Sequence, residues 1–188
     1  IMATVKYQSP FKPYPFIDSD EVTHTSTSSD DFVVAVGDCV QQKGTDKVFR
    51  LVRFDNAATD TGIDFTAGRL TYNYSGCVAG GDWIVRQDFS DTSGVVAGVC
   101  PKTIDVSAMS ADTYGWIQVA GSCEVTNHDG TCPIGSELVS HGVDNGTTDV
   151  RATLEQTIGV VVDEAGTTTP IVDLFIVAPG VQKVQVDG

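Results

Sequence analysis

An all-β fold, either a β-sandwich or a small β-barrel with an extended N-terminal arm, is predicted by three features of the sequence. The apolar residues are mostly Val and Ala, and Leu, the usual helix-core residue, occurs only at Leu51, Leu70, Leu138, Leu154 and Leu174. Short apolar runs are broken by clusters of Asp, Ser, Thr and Gly, and the 19 glycines suit tight turns between strands. Before these runs begin, prolines alternate with aromatic residues, a pattern that excludes helix.

The arm comes first. In Tyr7-Gln8-Ser9-Pro10-Phe11-Lys12-Pro13-Tyr14-Pro15-Phe16 each proline lacks an N–H and restrains the residue before it. The stretch is therefore extended and unsuited to a central strand. Thr23-His24-Thr25-Ser26-Thr27-Ser28-Ser29-Asp30-Asp31 follows as a polar tract with nothing to bury. Residues 1–31 form an arm and linker, and residues 32–188 form a β-rich domain. The arm either folds back on its own domain or lies across a neighbouring subunit.

The strands are then read in order. Phe32–Val36 is a strand-like run ending at Gly37-Asp38, and Cys39-Val40 resumes it. Val48–Phe54 is apolar on both faces, with Phe49 and Leu51 opposite Val48, Val52 and Phe54, as expected for a strand inside a sandwich or at an interface. Leu70–Tyr74 alternates with period two, and Trp83–Arg86 follows the turn Ala79–Asp82. Tyr114–Val125 is the strongest strand: Ile117, Val119, Cys123 and Val125 share one face, and Trp116, Gln118, Ser122 and Glu124 share the other. Asn127–Gly130 reads as a hairpin turn, and Ile158–Val162 and Ile171–Val177 close the domain across Glu164–Thr167. Only Ser107–Asp112 carries a helix signal, of a turn or two. Gly37-Asp38, Gly81-Asp82 and Gly135-Ser136 each set Gly and a short polar residue before a strand. Gly there takes a positive φ, and the polar side chain bonds the backbone two residues on.

The formal net charge of −14 repels nucleic-acid phosphates and anionic membranes, which argues against either as a partner. No run approaches the ~20 apolar residues of a membrane-spanning helix. The first twenty residues carry Lys6, Lys12 and three prolines without an apolar segment, so no signal peptide is expected. The odd set Cys39, Cys77, Cys100, Cys123 and Cys132 lacks zinc-site spacing and reads as reduced, buried thiols of a protein made in a cytoplasm. A Cys123–Cys132 disulfide across a hairpin is the alternative.

Common catalytic and cofactor patterns are missing. There is no G-x-S-x-G elbow, no phosphate-binding glycine loop and no paired-histidine metal motif around His24, His128 or His141. Ser140-His141 near Asp144 gathers triad residue types, but sequence neighbours in a turn do not reach triad geometry. Asp18, Asp20, Glu21, Asp30 and Asp31 are dense enough to hold Ca²⁺ weakly but lack the alternation of a calcium loop. The expectation is a protein without catalytic residues, metal or cofactor.

The C-terminal half has a recognisable order. Val95–Val99 precedes Tyr114-Gly115-Trp116-Ile117-Gln118-Val119-Ala120-Gly121, then a hairpin, Pro133–Val139, Gln156–Gly166 and Ile171–Val177. Its "Gly-Trp-hydrophobic-Gln" strand, "Gly-x-x-Leu" turn and "Ile-Gly-x-Val" strand resemble the β-domain of head decoration, or cement, proteins of tailed bacteriophages. The resemblance covers about residues 76–178, and would leave residues 32–75 as a smaller β subdomain. It implies a non-enzymatic structural protein of the virion. Such a protein sits on the outer capsid surface, binds the major capsid protein and self-associates, by analogy as a homotrimer. The expected contact residues are Tyr7, Phe11, Tyr14 and Phe16 of the arm. Another virion part (a head-fibre base, tail or minor capsid protein) and a bacterial cell-surface β domain are the alternatives.

Overall fold

The computed structural model describes residues 15–55, 65–73, 83–87, 95–105, 113–128, 132–141, 146–150, 157–163 and 169–176. Among them there is no α-helix. Their strands are β1 (Phe16–Ile17), β2 (Thr25–Ser26), β3 (Cys39–Gln42), β4 (Val48–Phe54), β5 (Leu70–Asn73), β6 (Ile84–Arg86), β7 (Val96–Val99), β8 (Thr113–Glu124), β9 (Glu137–Ser140), β10 (Thr148–Val150), β11 (Gly159–Asp163) and β12 (Ile171–Phe175).

The strands pair in the order β1-β3-β4-β6-β5-β7-β8-β12-β11-β9-β10. β8 also pairs antiparallel with β4, from Val48 opposite Ala120 to Phe54 opposite Thr113. That second pairing joins β4, β6, β5, β7 and β8 into a closed five-stranded barrel, from which the remaining strands extend. The all-β expectation is thus met, by a barrel rather than by two packed sheets. Closure leaves these five strands without a free edge.

Two-faced burial explains why β4 is apolar on both sides. Val52 and Phe54 point into the barrel with Val85, Ala97, Ile117 and Val119, joined by Phe65 and Cys100. Phe49 and Leu51 point outward, where Ile17, Val40 and Trp116 cover them. Each such side chain contributes about 1.5–3 kcal/mol on full burial. A third cluster lies under the C-terminal strands, where Leu70, Tyr72, Val96 and Val99 meet Cys123, Val125, Leu138, Ile158, Val172 and Leu174.

β8 serves all three clusters. Trp116 belongs to the outer one, Ile117 and Val119 to the barrel interior, and Cys123, with Val125 just past the strand end, to the C-terminal one. The faces of β8 therefore alternate as the sequence predicts, but one face is split between two cores. The split falls at Gly121, whose φ is +82° and where a Cβ would lie 2.5 Å from the Asp46 carbonyl oxygen. Gln118, buried beside this bend, donates its amide to the carbonyls of Ala120 (3.1 Å), Gly121 (3.3 Å) and Ser122 (3.0 Å).

Two sequence expectations change. Phe32–Val36 is not a strand: it runs through bends, with Phe32, Val34 and Val36 packed on the outer cluster and Val33 exposed. The bonds to Leu51 of β4 are made only by the following Gly37 N (2.8 Å) and Asp38 O (3.1 Å), and β3, β6 and β8 pair along β4. The polar tract also has a place on the barrel. Its β2 pairs with Tyr114 and Gly115, and the His24 ring lies 5.3 Å from Phe32, which meets Trp116 edge-on at 5.6 Å. Gly37 and Gly135 take positive φ as expected, but the Asp38 carboxylate accepts from Ala35 N, three residues back rather than two ahead. Ser107–Asp112, Ala79–Asp82 and Glu164–Thr167 lie outside the described residues.

Candidate functional site

The base of the arm is fixed by main-chain bonds. Gln41 N donates to Pro15 O and Lys43 N donates to Ile17 O, each at 2.9 Å, so β1 lies parallel to β3. Pro15 lacks a donor, yet its carbonyl still serves the ladder, which is how proline is accommodated at a sheet edge. Alternation then divides the two residues of β1. Ile17 is buried against Val40, Phe49 and Leu51, and Phe16 is 60% exposed. Of the four expected contact residues, Phe16 therefore stands outward on the last strand of the sheet, and Tyr7, Phe11 and Tyr14 lie outside the described residues.

Further exposed apolar side chains occur singly toward the other end of the sheet order. Val162 on β11 and Phe175 on β12 are exposed, as is Ile134 in the turn before β9. Their buried neighbours Val161, Val172 and Leu174 face the C-terminal cluster, so strand alternation leaves the outward residues open.

Two of the residues singled out for chemistry, Ser140 and His141, have described neighbours. The Ser140 hydroxyl lies 2.8 Å from the Tyr72 hydroxyl, and His141 stacks on His128 with ring centroids 3.9 Å apart. Burial pushes the Tyr72 phenol above its ordinary pKa, against the lowering effect of the Ser140 bond, so this hydroxyl stays protonated at neutral pH. Asp129 and Asp144 lie outside the described residues. Among the described residues no three His, Cys, Asp or Glu side chains converge as metal ligands. The N-terminal acids serve local structure: Asp18 pairs with Lys43 at 3.6 Å, Glu21 accepts from Asp18 N, and Asp31 accepts from the Ser26 hydroxyl.

Cys39, Cys100, Cys123 and Cys132 are not joined in disulfides. Cys123 and Cys132 sit in one apolar cluster as thiols, so the hairpin disulfide is not formed. Burial raises the Cys100 and Cys123 pKa values from 9.0 to about 12, which keeps both protonated and poor as nucleophiles. Cys77 lies outside the described residues.

Two open clefts border the outer face. One, of about 520 Å³, runs between Thr25–Thr27 and Lys102–Asp105 and is lined largely by hydroxyls. The other, of about 440 Å³, lies over Lys47, Cys123 and the buried Gln118.

Sequence reasoning missed the His128–His141 stack and the contact of Arg50 with Trp83, whose ring centroid is 4.2 Å from the guanidinium carbon. Neither pair has a spacing signal, because each is brought together by strand pairing. No protein-family model matches this chain, and no curated protein has significant similarity to it.

Proposed function

We propose that the protein is a structural component of a virus particle that decorates the outer surface of a tailed-phage capsid and bridges subunits of the major capsid protein. The observation that carries this reading is the anchored arm base. Ile17 and two main-chain bonds fasten the end of a proline/aromatic segment to the rim of a closed barrel, with Phe16 left open to a neighbour. A rigid body with an aromatic arm suits a clamp, because aromatic anchors bury large areas with few rotatable bonds. The barrel agrees with the β-domain that the decoration-protein resemblance implies. The acidic charge of −14 suits an exterior position, away from packaged nucleic acid. The role is mechanical: binding energy across capsomers opposes their separation, and many copies on one shell make modest affinities sufficient. Self-association as a homotrimer is part of the proposal.

The test is co-sedimentation of the full chain, and of a variant lacking residues 1–14, with heads devoid of the protein, before and after capsid expansion. Truncation before Pro15 keeps Ile17 and its bonds, and a thermal melt of each protein checks that the domain remains folded. The full chain is expected to bind expanded heads saturably and the truncated one to lose binding. Absence of binding to either form of head would refute the decoration role, and undiminished binding by the truncated chain would refute the arm as clamp.

A further inference from the structure

We propose that Arg50 is the recognition element of an oxyanion-binding site at one end of the barrel, taking a carboxylate or phosphate group. Arg50 lies on the inward face of β4, in line with Val48, Val52 and Phe54, and is only 5% exposed. Its Nε and Nη1 atoms are buried without a hydrogen-bond partner. Guanidinium groups remain charged in proteins, so burial does not relieve such a group by deprotonation. A buried cation is stable where its donors meet an anion.

The surroundings are arranged for an edge-on ligand. Trp83 covers one face of the guanidinium at 4.2 Å, a contact that leaves the buried Nε and Nη1 groups without a hydrogen-bond partner. Trp83 is itself held by the loop at Gly37. A Cβ on Gly37 would sit 1.9 Å from the indole Nε1, so the loop backbone lies directly against the ring. Gly37 is fixed there by its bond to Leu51 O and by Leu51 N to Asp38 O. The fork of Arg50 is thus set in place before any ligand arrives, the condition under which binding loses least entropy.

The residues around Arg50 that are least buried lie toward β3, the side from which a ligand would enter. Cys39, opposite Arg50 in the β3–β4 register, is only partly buried, as are Val48 and Trp83, whereas Val52 and Phe54 further along β4 are sealed. Asp38, next to Cys39 on the chain, has its carboxylate engaged by Ala35 N. Oxyanions that present two oxygens match the guanidinium fork, whereas chloride does not. The overall negative charge opposes anion approach, but salt screens it beyond ~8 Å at physiological ionic strength, and the fork acts at contact distance.

The probes are acetate and inorganic phosphate, each titrated into the full chain with chloride holding ionic strength constant. The thermal midpoint is followed for the wild type, Arg50→Met and Arg50→Lys. A saturable upward shift with at least one oxyanion is expected for the wild type, with a weaker response in R50K and none in R50M. Whichever anion acts identifies the ligand class. Equal shifts in the wild type and R50M would mean a general salt effect only and would overturn the site. If R50M does not fold, the Arg50 Nε–H resonance of the wild type decides: displacement by the oxyanion supports the site, and an unmoved signal at saturating anion rejects it.

Discussion

Replacing Gly121 by alanine tests whether the bend in β8 is what lets one strand serve two cores. An alanine there meets two penalties. The φ of +82° costs an L-residue roughly 1–2 kcal/mol. Its Cβ would also stand 2.5 Å from the Asp46 carbonyl oxygen and 2.7 Å from its carbon. Those atoms are backbone, so relief requires moving the chain, at about 1–3 kcal/mol. Loss of unfolded-state freedom returns about 0.4–1 kcal/mol, leaving a net loss of about 2–4 kcal/mol. Gly44 is the matched control, because its φ is +75° and no atom lies within 4 Å of the added Cβ. Gly44→Ala therefore carries the conformational penalty alone and should cost about 1 kcal/mol. At roughly 2–4 °C per kcal/mol for a chain of this size, calorimetry should place G44A about 2–4 °C below the wild type and G121A about 5–15 °C below. If the two variants melt together, close contact at Asp46 is not what holds the bend, and the account of β8 fails.

Other outcomes follow from buried groups. The Cys100 and Cys123 thiols have folded pKa values of about 12 against 9.0 for the free group, so the unfolded chain releases protons first as pH rises. Their contribution is fully present below pH 9 and is lost between about pH 9 and 12; urea titrations should show stability falling across that window, less steeply in Cys100→Ala and Cys123→Ala. A thiol reagent at neutral pH should modify half-buried Cys39 well before Cys100 or Cys123, as peptide mapping by mass spectrometry would detect. Tyr72→Phe removes the 2.8 Å bond to Ser140 from the rim of the C-terminal cluster and should cost about 0.5–1.5 kcal/mol in chemical denaturation.

Much of the fold is legible along single strands. Val48–Phe54, Tyr114–Val125, Ile158–Val162 and Ile171–Val177 match β4, β8, β11 and β12 to within a few residues, because periodicity and turn residues are local signals. The joining of strands was not legible. The β4–β8 pairing that closes the barrel links segments far apart in sequence, and the parallel pairs β1–β3 and β4–β6 have no hairpin to announce them. Phe32–Val36 misled for a related reason: its alternation is real, but it is used to pack on Trp116 rather than to pair with a strand. In the candidate sites, Phe16 is named by the arm's composition, but its exposure comes from alternation in β1, which buries Ile17 instead. The unpaired Arg50 was not legible, since its isolation depends on what three other strands place around it.

The shared use of β8 also governs what the nascent chain experiences on the ribosome. β4 emerges with apolar side chains on both faces, but its partner across the barrel is synthesised only when Thr113–Ala120 appears. At roughly 5–20 residues per second, translation leaves the β8-facing edge of β4 open for several seconds, although β3 is already available to its other edge. β8 in turn stays open on its C-terminal half until Ile171–Phe175 arrives. Neither core can close early, so the strands that make the finished barrel edge-free are the ones most in need of protection from self-association while it is being made.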